Sequence, residues 1–219
     1  MNYGETFAPV AKFATLRMLL ALAAMHDWEI DQMDVETAFL NPQLDEEVYM
    51  ELPEGYESLG QVCWLKKALY GLKQAPRAWY QDIDSYLVEV IKFNRSTEDP
   101  NLYILPLANT MHRLYLLLWV DDILLFAPTG QALQDIKAKL MAKYRMKDLG
   151  PAKAFIGLKI DRDRQNRSIH IHQSSYISSI LQTFGMQDFK GLSTPMESAS
   201  LKSTSSKIID TEKIGRAHV

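Results

Sequence analysis

A single cysteine, Cys63, stands among 219 residues. That excludes an internal disulfide and any cysteine-based zinc site, and it fits a reducing compartment. Long apolar runs are also missing. The plainest one near the start, Leu16 to Met25, is interrupted by Arg17 and falls short of the roughly 20 residues a bilayer-spanning helix needs. Glu5 and Lys12 precede it where a secretion signal would carry a basic leader, so a buried helix is expected and no membrane partner. Positive charge is absent from 27 to 57, where eleven acids occur without one Lys or Arg. The balance reverses from Gln131 to His172, with ten bases against four acids, so the net charge of −3 conceals two opposed regions. Such asymmetry admits a polyanion on one side and cations on the other, with ordinary solvated faces as the plain alternative.

What is present suits a soluble α+β protein, one large domain or a domain with a smaller appendage: 47% of the residues are hydrophobic and 23% charged. Thr15 reads as the N-cap of a helix reaching Ala24. The alternation from Trp28 to Val35 predicts a strand that brings Asp34 to its end, and Val48 to Leu52 an edge strand closed by Pro53. Ala75-Pro76 opens a helix running to Ile91. Strands are expected over 101–105, 114–120 and 123–127. A lysine-faced helix follows over 132–144, then a hairpin of 154–160 with 168–172, and a helix over 176–184. His170 and His172 share one strand face and could coordinate a metal, although exposed or nucleic-acid-facing histidines are commoner. Past Thr194-Pro195 the Ser, Thr and Lys composition predicts disorder. The final IGRAHV, residues 214–219, resembles a translated sequencing adapter and is set aside.

The chemistry centres on LYLLLWVDDILLFA, residues 114–127, where Asp121 and Asp122 interrupt an apolar run. Ionised carboxylates in such surroundings cost several kcal/mol unless cations or donors meet them. An exposed hairpin tip would relieve the cost, yet the dipeptide lacks the Asn-Gly or Asp-Gly chemistry of tight two-residue turns. A divalent cation would relieve it too, and hard oxygen ligands suit magnesium. Asp34 qualifies as the carboxylate from a second strand. Three aspartates on two strand ends can hold two cations, the arrangement used in phosphoryl and nucleotidyl transfer.

Seven segments in order make the pattern specific: YGETFAPVAK, QMDVETAFLN, VYMELPEGY, LKKALYGLKQAPRAWY, WVDDILLF, FIGLKI and STPM. Together they resemble the reverse transcriptase of copia-type LTR retrotransposons over residues 3 to 197. The resemblance implies a polymerase palm with an antiparallel catalytic sheet packed on helices. Partial fingers would share residues 1–172 with it, and a thumb would begin over 173–197. It implies catalytic and metal-binding roles for Asp34, Asp121 and Asp122, with two Mg2+ ions, or Mn2+, as cofactors. One ion would acidify the primer 3′-hydroxyl and the other neutralise the triphosphate. Asp122 is the less secure ligand, because neighbouring strand residues point to opposite faces.

The same resemblance assigns Val35, Phe39, Tyr70 and Gly71 to dNTP binding, with the Phe39 ring excluding a 2′-hydroxyl. Lys73, Arg77, Trp119, Phe155 and Gly157 fall on primer and template contacts, and the basic 131–172 region would lie along the duplex. Expected partners are an RNA template, a DNA primer, their hybrid, dNTPs, and the integrase, ribonuclease H and protease of a Pol polyprotein. The expected location is intracellular, in the cytoplasmic virus-like particle of an intact element. Trp119 departs from the family's usual tyrosine. The basic fingers strands are expected to be missing and the thumb cut short. The rival expectation is therefore an inactive remnant that only binds nucleic acid or has no function.

Overall fold

The computed structural model describes residues 6–56, 61–108 and 111–191. The expected tail past Thr194-Pro195, the STPM segment and the adapter-like end lie outside them. Two compact units divide the chain, Met1–Ser174 and Ser175–Val219. Among the described residues no helix is long and apolar enough to cross a membrane.

Helix α1 (Phe13–His26) is rich in Leu, Ala and Met, residues that lose little side-chain freedom in a helix. Its start corrects the expected cap. Thr15 lies inside the first turn, and its hydroxyl donates to Asp99 Oδ2 at 2.6 Å, the oxygen that also accepts the Lys12 amide at 2.9 Å. The orphan donors of the helix start are met from a distant loop, which local spacing does not reveal.

Strand β1 (Glu29–Val35) follows, then a 3₁₀ turn at Ala38–Leu40 and the hairpin of β2 (Gln43–Glu51) with β3 (Val62–Lys67), a separate two-stranded sheet. Helix α2 (Ala75–Ser85) carries Pro76 in its first turn, where a missing amide costs nothing, and continues as a π-helical stretch, Tyr86–Ile91. The remaining elements are β4 (Asn94–Arg95), β5 (Leu102–Pro106), β6 (Arg113–Trp119), β7 (Asp122–Ala127), α3 (Gly130–Lys143), β8 (Met146–Pro151), β9 (Ala154–Phe155), β10 (Leu158–Asp163), β11 (Ser168–His172) and α4 (Ser174–Thr183).

The strands β4-β5-β6-β7-β1-β8 form one sheet whose pairs are all antiparallel. One face, with Met33, Val35, Leu116, Leu118, Ile123 and Leu125, packs on α2 and α3 through Trp79, Ile83, Leu133 and Leu140. The opposite face, with Ile30, Leu117, Leu124 and Phe126, packs on α1 through Leu16, Leu19 and Leu20, and on Phe155 and Ile160. Covered on both sides, β6 and β7 read as unbroken apolar runs.

The expected single strand 154–160 is two strands. β9 reverses into β10 at Ile156-Gly157, both at positive φ (45° and 79°), with Phe155 opposite Leu158. That is the primed two-residue turn whose twist suits a hairpin. Strands β3, β4 and β8 have no counterpart in the sequence reading. β8, MKDLGP, is an outer strand exposed along most of its length, so it lacks the apolar alternation that betrays a half-buried one.

Candidate active site

Register places the acids. Asp34 of β1 lies directly opposite Asp122 of β7, and Asp122 is in turn opposite Trp119 of β6. Directly opposed residues share a face with Cβ atoms roughly 5 Å apart. Asp121 lies on the two-residue tip between β6 and β7 with Val120, so strand alternation does not turn it away. A tight turn thus exists without Asn-Gly chemistry, and Asp122 is directly opposite Asp34.

Val120 adopts φ 58°, a left-handed conformation that costs a β-branched residue roughly 1–3 kcal/mol. Two hydrogen bonds hold it. The buried Trp79 indole Nε1 donates to the Val120 carbonyl at 2.6 Å, and the Val35 amide donates to the Asp121 carbonyl at 2.9 Å. The second bond straps the tip to β1, next to Asp34. The Val35 amide is thus engaged in the turn, and its side chain is buried against the α2 and α3 side of the sheet.

Gln32 lies two residues before Asp34 on the same strand face, and its Nε2 donates to Asp122 Oδ1 at 3.1 Å. Burial pushes the Asp122 carboxyl above the ordinary carboxylate range; Gln32 opposes the shift while Asp121 and Asp34 add to it. Among the described residues no Lys or Arg forms an ion pair with any of the three acids. Three carboxylates without a protein cation fit hard divalent ions.

Phe39, on the 3₁₀ turn after β1, meets the exposed Tyr70 ring at 4.9 Å between centroids. Tyr70-Gly71 forms the centre of a turn closed by the Leu72 amide on the Leu69 carbonyl, with Gly71 at φ 96°. A glycine third in a turn of this kind avoids the Cβ penalty of positive φ. Trp119 packs edge-on against Phe13 at 6.0 Å. Lys73 is exposed before α2 and Arg77 half-buried in its first turn. Gly157 is exposed on the β9–β10 turn. Phe155 is 1% exposed, its ring packed in the α1-side core.

The opposed charge regions meet each other. Asp27 pairs with Arg162 at 2.7 Å and Arg164 at 2.8 Å, and Glu29 with Arg164. Glu36 pairs with Arg145 and Lys147, and Asp31 with Lys137. Half of the ten bases thus neutralise acids of 27–36, while Lys139, Lys153 and Lys159 carry no ion pair among the described residues. Sequence reasoning missed Gln32 and Trp79. Period-two spacing from Asp34 could have found Gln32; nothing local marks Trp79, whose partner is 41 residues away.

Residues 1–198 match the sequence model described as reverse transcriptase (RNA-dependent DNA polymerase). The chain is 41% identical over 199 residues to the retrovirus-related Pol polyprotein from transposon TNT 1-94 of Nicotiana tabacum, covering 90% of this chain and 15% of that protein. It is 37% identical over 199 residues to the corresponding polyprotein from transposon RE1 of Arabidopsis thaliana, covering 90% and 13%. The putative transposon Ty5-1 protein of Saccharomyces cerevisiae is 35% identical over 167 residues, 75% of this chain and 53% of that one. The chain spans a small part of the two plant polyproteins.

Proposed function

Because the chain belongs to the reverse transcriptase (RNA-dependent DNA polymerase) family, we propose that Asp34, Asp121 and Asp122 form the centre of RNA- and DNA-templated DNA synthesis for a copia-type retrotransposon. The observation that carries this reading is the register of Asp34 on Asp122, beside a tip carrying Asp121, with no Lys or Arg among the described residues paired to any of the three. Asp34, Asp121 and Asp122 would hold two magnesium ions, or manganese in their place, which would supply acidification of the primer 3′-hydroxyl and neutralisation of the triphosphate and departing pyrophosphate.

The protein's own groups arrange the rest. The three carboxylates fix where the reacting oxygens sit, and Gln32 orients Asp122 through its amide. The Phe39 ring, backed by Tyr70, forms the floor under the incoming sugar and excludes a 2′-hydroxyl. Tyr70 and Gly71 lie against the nascent base pair. Trp119 and the Gly157 turn contact the primer end, Lys73 and Arg77 contact template phosphates, and Lys139, Lys153 and Lys159 add attraction to the duplex that is independent of sequence. Residues 1–172 act as palm with part of the fingers and 173–197 as the start of the thumb. RNA template, DNA primer and dNTPs are the substrates, and the integrase, ribonuclease H and protease of a Pol polyprotein are the partners within a virus-like particle.

Primer extension tests the reading. The purified chain receives an RNA template, a DNA primer, magnesium and deoxynucleotides, beside an Asp121→Asn control. Extension by the native chain alone supports the proposal. No extension from either, with hybrid still bound, supports a remnant that only binds nucleic acid.

A further inference from the structure

We propose that the outer face of the β10–β11 hairpin is a second cation site, of a different chemical class from the aspartate centre: a borderline transition metal such as Zn2+, held by Asp161, His170 and His172. The sequence places the two histidines on one face of β11; the fold adds the third ligand from β10. Asp161 lies directly opposite His170. Ligand atoms of the three residues all lie within 4.8 Å of one another. His172 Nε2 is 2.8 Å from Asp161 Oδ2, and the two imidazoles stack with centroids 5.2 Å apart and planes 25° apart.

The ligands sit on a rigid support. On the inner face, Ile160 is buried while Ile169 and Ile171 pack on the α1-side core. Arg162 clamps the same face to the β1 side through the Trp28 carbonyl and Asp27. An outer shell is present as well, because Ser174 Oγ lies 2.6 Å from His172 Nδ1. The Ser174 amide also donates to this Nδ1, at a long 3.4 Å; with Nε2 on a cation that weak contact gives way, and Nδ1 carries the ring proton and donates to the hydroxyl, the arrangement that fixes the orientation of a metal-binding histidine. Tetrahedral zinc with bonds of roughly 2.0–2.1 Å separates its ligand atoms by roughly 3.4 Å. The Asp161–His172 contact therefore opens by about half an ångström, an easy movement for an Asp161 side chain that is 70% exposed. A fourth position is left for water.

Two imidazoles and one carboxylate select zinc, copper or nickel over magnesium, whereas three carboxylates select the reverse. One charge opposes the site: Lys159 lies opposite His172 on the same face.

Isothermal titration of the tag-free, chelator-stripped full chain with ZnCl2 tests the proposal, and its outcome is independent of polymerase activity. One zinc per chain is expected, with affinity lowered at least tenfold in His170→Ala and in His172→Ala. Asp161→Asn, which keeps the size of the side chain and the inner packing, should weaken binding, Lys159→Gln should tighten it, and millimolar MgCl2 should not displace the zinc. Circular dichroism of each variant confirms that the fold is retained. Absence of binding by the native chain overturns the proposal, as does unchanged affinity in Asp161→Asn and in the folded histidine variants.

Discussion

Strand β1 carries two aspartates three residues apart on opposite faces, and they meet opposite fates. Asp31 points to the face covered by α2 and α3, where Lys137 of α3, a residue 2% exposed, bonds it through its ammonium and also reaches Asp148 at 2.8 Å. Burial pulls that ammonium down, yet its bonds to Asp148 and Asp31 outweigh the penalty and hold it above its ordinary range. Asp34 lies on the other face, directly opposite Asp122, and no Lys or Arg among the described residues pairs with it. The same residue type on the same strand is paired with a lysine in one case and, among the described residues, with no cation in the other. A fold able to deliver a buried lysine to one acid but delivering only more acid to the next leaves the second cluster for an external cation.

The largest effect expected is at the unneutralised end. Asp121→Asn should lower primer extension about a thousandfold, the rate equivalent of several kcal/mol of lost charge stabilisation. Unfolding in urea should show no loss of stability, because a repulsive charge has been removed. Lys137→Met should do the reverse. Leaving Asp31 buried without its cation should cost roughly 3 kcal/mol in urea unfolding, while divalent-cation binding at Asp34 persists.

Trp79→Phe sharpens the comparison within the site. It keeps an aromatic ring in the core but removes the donor to Val120, so a stability loss of roughly 1–3 kcal/mol is expected, with weaker metal binding at the tip. Val120→Gly, which relieves the left-handed strain, should suppress the metal-binding defect of Trp79→Phe; a defect equal in both backgrounds would mean the indole acts only as packing.

The smallest effect is in pH dependence. Asp122 titrates above its unfolded value of about 3.8, so between the unfolded and folded values the native state holds more protons and its stability falls as pH rises through that window. Asp148 is shifted the other way: burial raises it, but Lys137 and the Gly150 amide outweigh that and lower it, so its contribution is lost as pH falls below about 3.8. The difference in urea stability between native chain and Asp122→Asn across this range isolates the first slope. Saturating magnesium should abolish it.

Legibility in the sequence followed how local each cause is. Strand β1 and helices α2 and α3 are readable because the layer each one covers sets an apolar period, and β6 and β7 because burial on both faces makes them short apolar runs. The acids were readable because aspartates inside an apolar run are conspicuous. Hidden were arrangements whose partners are far apart along the chain: Asp99 capping α1, Trp79 holding Val120, and Lys137 between Asp31 and Asp148. Lys137 shows the limit most clearly. Beside other lysines on α3 it reads as one more surface charge, and only the sheet's placement makes it a buried counter-ion. The basic region loses much of its expected freedom to grip a duplex for the same reason, since Arg145, Lys147, Arg162 and Arg164 are already committed to Glu36, Asp27 and Glu29.

The most direct test of a shared cation centre is a Mn2+ titration followed by electron paramagnetic resonance, comparing the native chain with Asp34→Asn. Saturable binding by the native chain that is lost in the folded variant is the predicted result. Equal binding by both would contradict the claim that Asp34 and the Asp121-Asp122 tip hold their cations in common.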